Sequence, residues 1–276
     1  MKRTVFAYPY VVWMLIFILA PMLLIVYYAL TDTSGAFTFA HILDAVTTPA
    51  YMQVLLRSIL TALEATAICL LLGYPVAYML SKMKKSTASL LSVLFIVPMW
   101  MNFLLRTYAW QVLLSSSGII NAIFASLGLP AQRMLYTEGA VMLGTVYNFL
   151  PFMILPIYTV LVKLDSSQIE AAGDLGANPA QTFFKVVLPL SAPGVISGIT
   201  MVFIPAITTF AISRLLGGGK FMLYGDLIEN QFITIGKSAW GVGSALSFIL
   251  LILVLISMFV LHRAEREAGE EGGRLW

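Results

Sequence analysis

Few residues in this chain could do chemistry, because only 11% of it is charged. Glu64 falls about two turns inside an apolar segment, where a carboxylate costs several kcal/mol unless it faces a cavity or a partner. Two readings stay open for it: a contact for a passing cation, or a snorkelling, hydrogen-bonded residue near a membrane rim. Arg106 lies in the next apolar segment and calls for a carbonyl cluster or an acid on a neighbouring helix. Trp100, Asn102, Tyr108 and Trp110 stand around it. Aromatics at membrane depth mostly pack or form interfacial belts, yet a desolvated ring holds a cation with up to about 2 kcal/mol. Trp100, beside Pro98, is the gate candidate, and Trp110 reads as belt. Asp226 and Glu229 sit in a loop, where acids either recruit a cationic partner or are simply solvated.

Other chemistries are absent from the pattern. Gly236-Lys237-Ser238 has Gln231 where a phosphate loop needs glycine, and Gly217-Gly218-Gly219-Lys220 is followed by Phe221. His41 and His262 are isolated, without metal-ligand spacing, and no Ser/His/Asp or Cys/His set points to covalent catalysis. Cys69 is the single cysteine and makes no internal disulfide. The expectation is a chain with no catalytic residues, metal or bound cofactor of its own.

The element that must position anything driven from outside is Glu170–Pro189, EAAGDLGANPAQTFFKVVLP. Ser167 followed by Glu170 fits a capping box, and the Ala-rich turn after it propagates a helix. Gly176 fits a left-handed C-cap, Asn178 and Pro179 fit the start of a second helix, and Pro189 is expected to stop it. The product is a polar helix–turn–helix between apolar segments. Glu170 either braces its own helix or docks a partner; Gly176 either stops a helix or permits close backbone approach.

With 60% hydrophobic residues, the chain is a membrane protein with little room for soluble domains. A net charge of +3 gives no reason to expect a nucleic-acid partner. A bilayer needs about 20 apolar residues per helix. Segments near that length are 8–30, 55–80, 90–114, 140–161, 193–212 and 239–261, giving an all-α integral membrane protein with six transmembrane helices in one domain. The first segment follows Lys2-Arg3 without a small-residue cleavage site and reads as an uncleaved anchor. Lys2, Arg3, Lys82, Lys84, Lys85, Lys163, Lys185, Arg263, Arg266 and Arg274 gather at one set of ends. Arg57, Arg133, Arg214, Lys220 and Lys237 lie at the other. The positive-inside bias puts both termini and the 163–192 loop in the cytoplasm. Pro75, Pro98, Pro151, Pro156 and Pro205 allow kinks, read either as ordinary packing or as hinges beside a path.

The loop also carries a resemblance. Glu170-Ala171-Ala172, Gly176, Val186 and Leu188-Pro189 match the spaced motif of ABC importer membrane subunits, with Val186 replacing the usual isoleucine. LGYPVAYMLSK (72–82), VPMWMNFLLRTYAW (97–110) and KLDSSQIEAAGDLGA (163–177) resemble the first of two permeases in spermidine/putrescine importers. The resemblance implies a type I importer permease in a bacterial inner membrane, paired with a second, different permease. It implies an extracytoplasmic binding protein outside and an ATPase dimer inside, with ATP and Mg held by the ATPase. Coupling would fall to Glu170, Ala171, Ala172, Asp174, Gly176, Leu188 and Pro189. The substrate path would involve Glu64, Trp100, Asn102, Tyr108 and Trp110. A sister substrate (ferric iron, thiosulfate, phosphonate or opine) is the alternative. An ion-coupled carrier or an assembly subunit explains the apolar segments but not the loop.

Overall fold

The computed structural model describes residues 8–236 and 239–274. Lys2, Arg3, Lys237 and Ser238, used in the charge and phosphate-loop arguments, lie outside the described residues, as does the side chain of Arg274. Among the described residues the chain is helical, with an isolated bridge between Thr31 and Phe37. Helix α1 (8–29) contains a π-helical turn at Leu15–Leu19. It is followed by α2 (Ala40–Thr47), α3 (Pro49–Lys82), α4 (Lys85–Trp100), α5 (Phe103–Leu114), α6 (Ile119–Ser126) and α7 (Glu138–Leu161). The polar loop forms α8 (Ser166–Asp174) and α9 (Pro179–Leu190). Then come α10 (Ala192–Thr208), α11 (Ala211–Gly217), α12 (Tyr224–Asn230) and α13 (Trp240–Arg274). Among the described residues, counting α5 with α6, five helices are long and apolar enough to cross a bilayer, or six if the bent pair α9–α10 is one span.

The centre is α3, α7 and α10, and small residues explain why. Lipid is as apolar as leucine, so helices in it associate by close packing rather than by hiding from water. Helix α10 buries Gly194, Gly198, Val202 and Ala206, every fourth residue along one face. On α3, Ala62, Ala65, Cys69 and Gly73 form the matching stripe. Met153 of α7 fills the space between them. A side chain at Gly198 would meet its Sδ at 2.7 Å, and one at Gly73 would meet its Cγ at 3.0 Å. A second cluster of Ala29, Leu55, Tyr224, Leu227, Ala245 and Leu246 ties α1, α12 and α13 to the start of α3.

The third and fifth apolar segments are not single helices. The stretch 90–114 breaks at Met101–Asn102, because the Asn102 side chain accepts hydrogen bonds from the Leu104 and Leu105 amides and starts α5 afresh. The stretch 193–212 ends its helix at Thr208, three residues after Pro205, and Thr209 is extended before α11 begins. In the polar loop, Asp165 rather than Ser167 caps α8, accepting from the Ser167 amide at 3.0 Å. Pro189 does not stop α9. A π-helical turn at Phe183–Val187 widens the helix just ahead of the proline, and the axis bends by 61° at Ser191 instead.

Candidate functional site

Residues of the polar loop form a platform. Gly176 has φ +83° and closes α8 in a Schellman arrangement, with its amide on the Gly173 carbonyl and the Ala177 amide on the Ala172 carbonyl. Asn178 and Gln181 then exchange side-chain-to-backbone bonds of 2.8 and 3.0 Å, so α9 starts one residue later in a capping box. These local bonds fix the turn without help from the core. Helix α8 buries no residue: Glu170, Ala171 and Asp174 are exposed, Ala172 is half-buried, and Leu175 is 89% exposed. Leu188 and Pro189 are also exposed, as is Phe184. An apolar tip beside two carboxylates is a surface suited to a partner. Hydrogen bonds to Ser167 hold the Asp165 carboxyl below its ordinary range, so this cap stays charged at neutral pH.

The platform is clasped to the central helices by residues that the sequence reading missed. Phe183 packs edge-on against Tyr74 and Tyr78 of α3, at 5.7 and 5.4 Å between ring centroids. The Tyr74 hydroxyl lies 2.8 Å from Ser191 Oγ at the bend. Ser191 donates its own proton to the Leu188 carbonyl, so the phenol is the donor in that pair. The available signal was the tyrosine pair four residues apart in LGYPVAYMLSK, on one face of a helix.

Glu64 is exposed on α3 and lines a groove of about 340 Å³ with Thr61 and Arg57 one and two turns before it. Glu138, in the first turn of α7, forms the opposite wall, and Leu60, Met142 and Phe221 complete it. The positive end of α7 favours an acid there. Glu138 stands at a loop–helix junction, where an acid is ordinary in sequence; only packing places it opposite Glu64.

The remaining candidates lie elsewhere, and none lines the Glu64 groove. Trp100 is 82% exposed at the end of α4, and Asn102 is occupied as the cap of α5. Tyr108 is exposed, while Trp110 packs edge-on against Tyr147 of α7 at 5.3 Å. Arg106 is buried, and its Nε has no hydrogen-bond partner among the described residues. Asp226 is not a solvated loop acid. It is buried, accepting from Ser213 Oγ at 2.5 Å and the Leu223 amide at 2.9 Å, and burial pushes its carboxyl above the ordinary range. Glu229 is engaged by Arg214 at 2.8 Å.

The chain is thus a multi-pass helical protein with an exposed, polar helical turn set between two apolar helices. Residues 69–268 match the family of binding-protein-dependent transport system inner membrane components, and the chain belongs to it. The chain is 41% identical to the spermidine/putrescine transport system permease protein PotB of Haemophilus influenzae, over 92% of its own length and 91% of the relative's. It is 39% identical to PotB of Escherichia coli, over 92% and 94%. In fold it is similar to a chain of a bacterial alginate ABC transporter in complex with a pentasaccharide-bound periplasmic protein. That match has a TM-score of 0.75 at 15% identity, covering 95% of this chain and 93% of the other. A chain of the MetNI methionine ABC transporter aligns with a TM-score of 0.56 at 20% identity, over 79% and 95%. The chain is thus a permease subunit of an ABC importer.

Proposed function

We propose that this permease carries spermidine or putrescine inward across a bacterial cytoplasmic membrane, as one half of a heterodimer with a second permease. The likeness to the PotB proteins over nearly the whole chain supports that substrate class. The groove adds a physical reason, since Glu64 and Glu138 offer carboxylates to ammonium groups. An extracytoplasmic binding protein delivers the polyamine, and two ATPase subunits, holding ATP and Mg, dock on the platform. Both termini and the platform face the cytoplasm in this reading.

The observation that carries the coupling is the exposed face of α8. Glu170, Ala171, Asp174 and Leu175 project from a turn that its own backbone bonds keep rigid. ATPase closure would move α8 and α9 together, and the Phe183–Tyr74–Ser191 clasp passes that movement to α3 and α10. A ligand shifts such an equilibrium only by preferring one state, so the loaded binding protein must favour the outward-facing one. The test is ATP hydrolysis by the reconstituted complex with its binding protein empty, with spermidine, with putrescine and with anionic controls. Stimulation by a polyamine alone is expected. Stimulation only by another ligand would keep the importer and discard the polyamine, and a folded complex without nucleotide hydrolysis would refute coupling through the platform.

A further inference from the structure

On the side of the molecule away from the platform, α1, α2 and α13 enclose a second recess. Its position follows from α13: Glu265, near the far end of this helix, bonds Ser197 of α10 close to the platform, so Trp240 at the near end lies at the opposite side. The recess has a volume of about 270 Å³ and is lined by Tyr27, Tyr28, Asp32, His41 and Trp240. Tyr28 stands edge-on to both Tyr27 and Trp240, with centroids 5.5 and 5.6 Å apart, so three rings of different orientation border one space. A side chain at Gly241 would overlap the His41 ring, so α2 and α13 meet closely beneath it.

Asp32 is held in a set position at the rim. Its Oδ1 accepts from the Ser34 amide at 2.8 Å, the Ser34 hydroxyl at 2.6 Å and the Ala36 amide at 3.0 Å. The Asp32 backbone in turn bonds Ala36 and Gly35, closing a tight turn around the carboxylate. Every one of these side-chain bonds falls on Oδ1, and among the described residues no protein donor bonds Oδ2. The same bonds hold the carboxyl below its ordinary range, led by the Ser34 side chain, so it is charged at neutral pH. Among the described residues, no Lys or Arg lines the recess to answer that charge.

A fixed carboxylate with one free oxygen, beside three aromatic rings, is a receptor for an organic cation. We propose that the Tyr27–Tyr28–Asp32–Trp240 recess binds a primary ammonium group, separately from the Glu64 groove. Ring faces attract the ammonium and its methylenes, and Asp32 Oδ2 accepts its proton. Two sources carry this chemistry: the end of a free polyamine, and the headgroup of phosphatidylethanolamine at the membrane surface. The polyamine source rests on the transport reading above; the site itself rests on geometry alone.

The test uses the full transporter complex without its binding protein. In one arm it is placed in phosphatidylglycerol nanodiscs, which supply no amine, and radiolabelled spermidine binding is measured by equilibrium dialysis. In the other arm, retention of phosphatidylethanolamine by the detergent-purified complex is read by native mass spectrometry. Asp32→Asn keeps the oxygen that organises the turn and removes the charge; Tyr27→Leu removes a half-exposed ring that the core does not need. Each variant is expected to weaken binding about tenfold in at least one arm, a loss on the scale of one desolvated cation–π or ion contact. Loss in the first arm assigns the site to polyamine and in the second to lipid. Unchanged binding and unchanged retention in both variants would overturn the proposal. ATP hydrolysis stimulated by spermidine-loaded binding protein, measured on the wild type, tests the transport reading separately.

Discussion

Gly176 offers the sharpest test of how the platform works. Its φ of +83° lies in the left-handed region, and an added Cβ would find nothing within 4 Å. Replacing it therefore introduces no clash inside this chain, only the strain of an L-residue in that conformation, about 1–2 kcal/mol. A free loop relaxes away from that strain and must re-form the turn to dock, so the strain appears in the affinity for the ATPase. The expected weakening is roughly 5- to 30-fold for Gly176→Ala. Gly176→Asn should lose less, since asparagine tolerates the left-handed region, and Gly176→Val should lose more, since β-branching does not. The assay is titration of purified ATPase onto the permease pair in detergent, with thermal melting to show that each variant is folded. If asparagine and valine variants lose affinity equally, and far beyond this range, the glycine is needed for space against the partner and the backbone argument fails. If none of the three changes affinity, the turn is irrelevant to docking.

Other outcomes follow from the same structure. Glu170→Arg, on the exposed face of α8, should leave the chain in the membrane but release the ATPase; intact co-purification with normal uptake would refute the docking role. Glu64→Gln should impair polyamine uptake without loss of assembly, and unchanged uptake kinetics would return Glu64 to a plain surface role. Gly198→Ala should destabilise the core by about 1–3 kcal/mol, because Met153 must move to admit the methyl group; an unshifted melting temperature would contradict that packing. The raised carboxyl of Asp226 means that the folded chain holds this proton to higher pH than the unfolded chain does. Its contribution is full below the ordinary carboxylate range and is lost as pH rises through the folded value, so the wild type should lose stability relative to Asp226→Asn on that rise. Parallel pH–stability curves for the two would refute the assignment.

The amino-acid sequence determined the class of this protein and the local design of its platform. Apolar segments of bilayer length can only be helices, since no water is present to satisfy other backbone forms. The Gly176 cap and the Asn178–Pro179 start were legible because capping is decided within a few residues. Ser167 misled for the same reason in reverse: two polar residues two positions apart can both cap, and Asp165 holds the place. Asn102 looked like a polar residue inside a span and instead begins a helix, a choice that depends on whether the chain breaks there. Only tertiary structure decided what lies between helices. It buried Asp226 against Ser213, set Glu138 opposite Glu64, and bent the chain at Ser191 where Tyr74 reaches it. Ser191 is 117 residues from Tyr74 in the chain, and no local rule relates positions so far apart. Their meeting is set by the small-residue faces of α3 and α10, which choose the partners and the distance at which they pack.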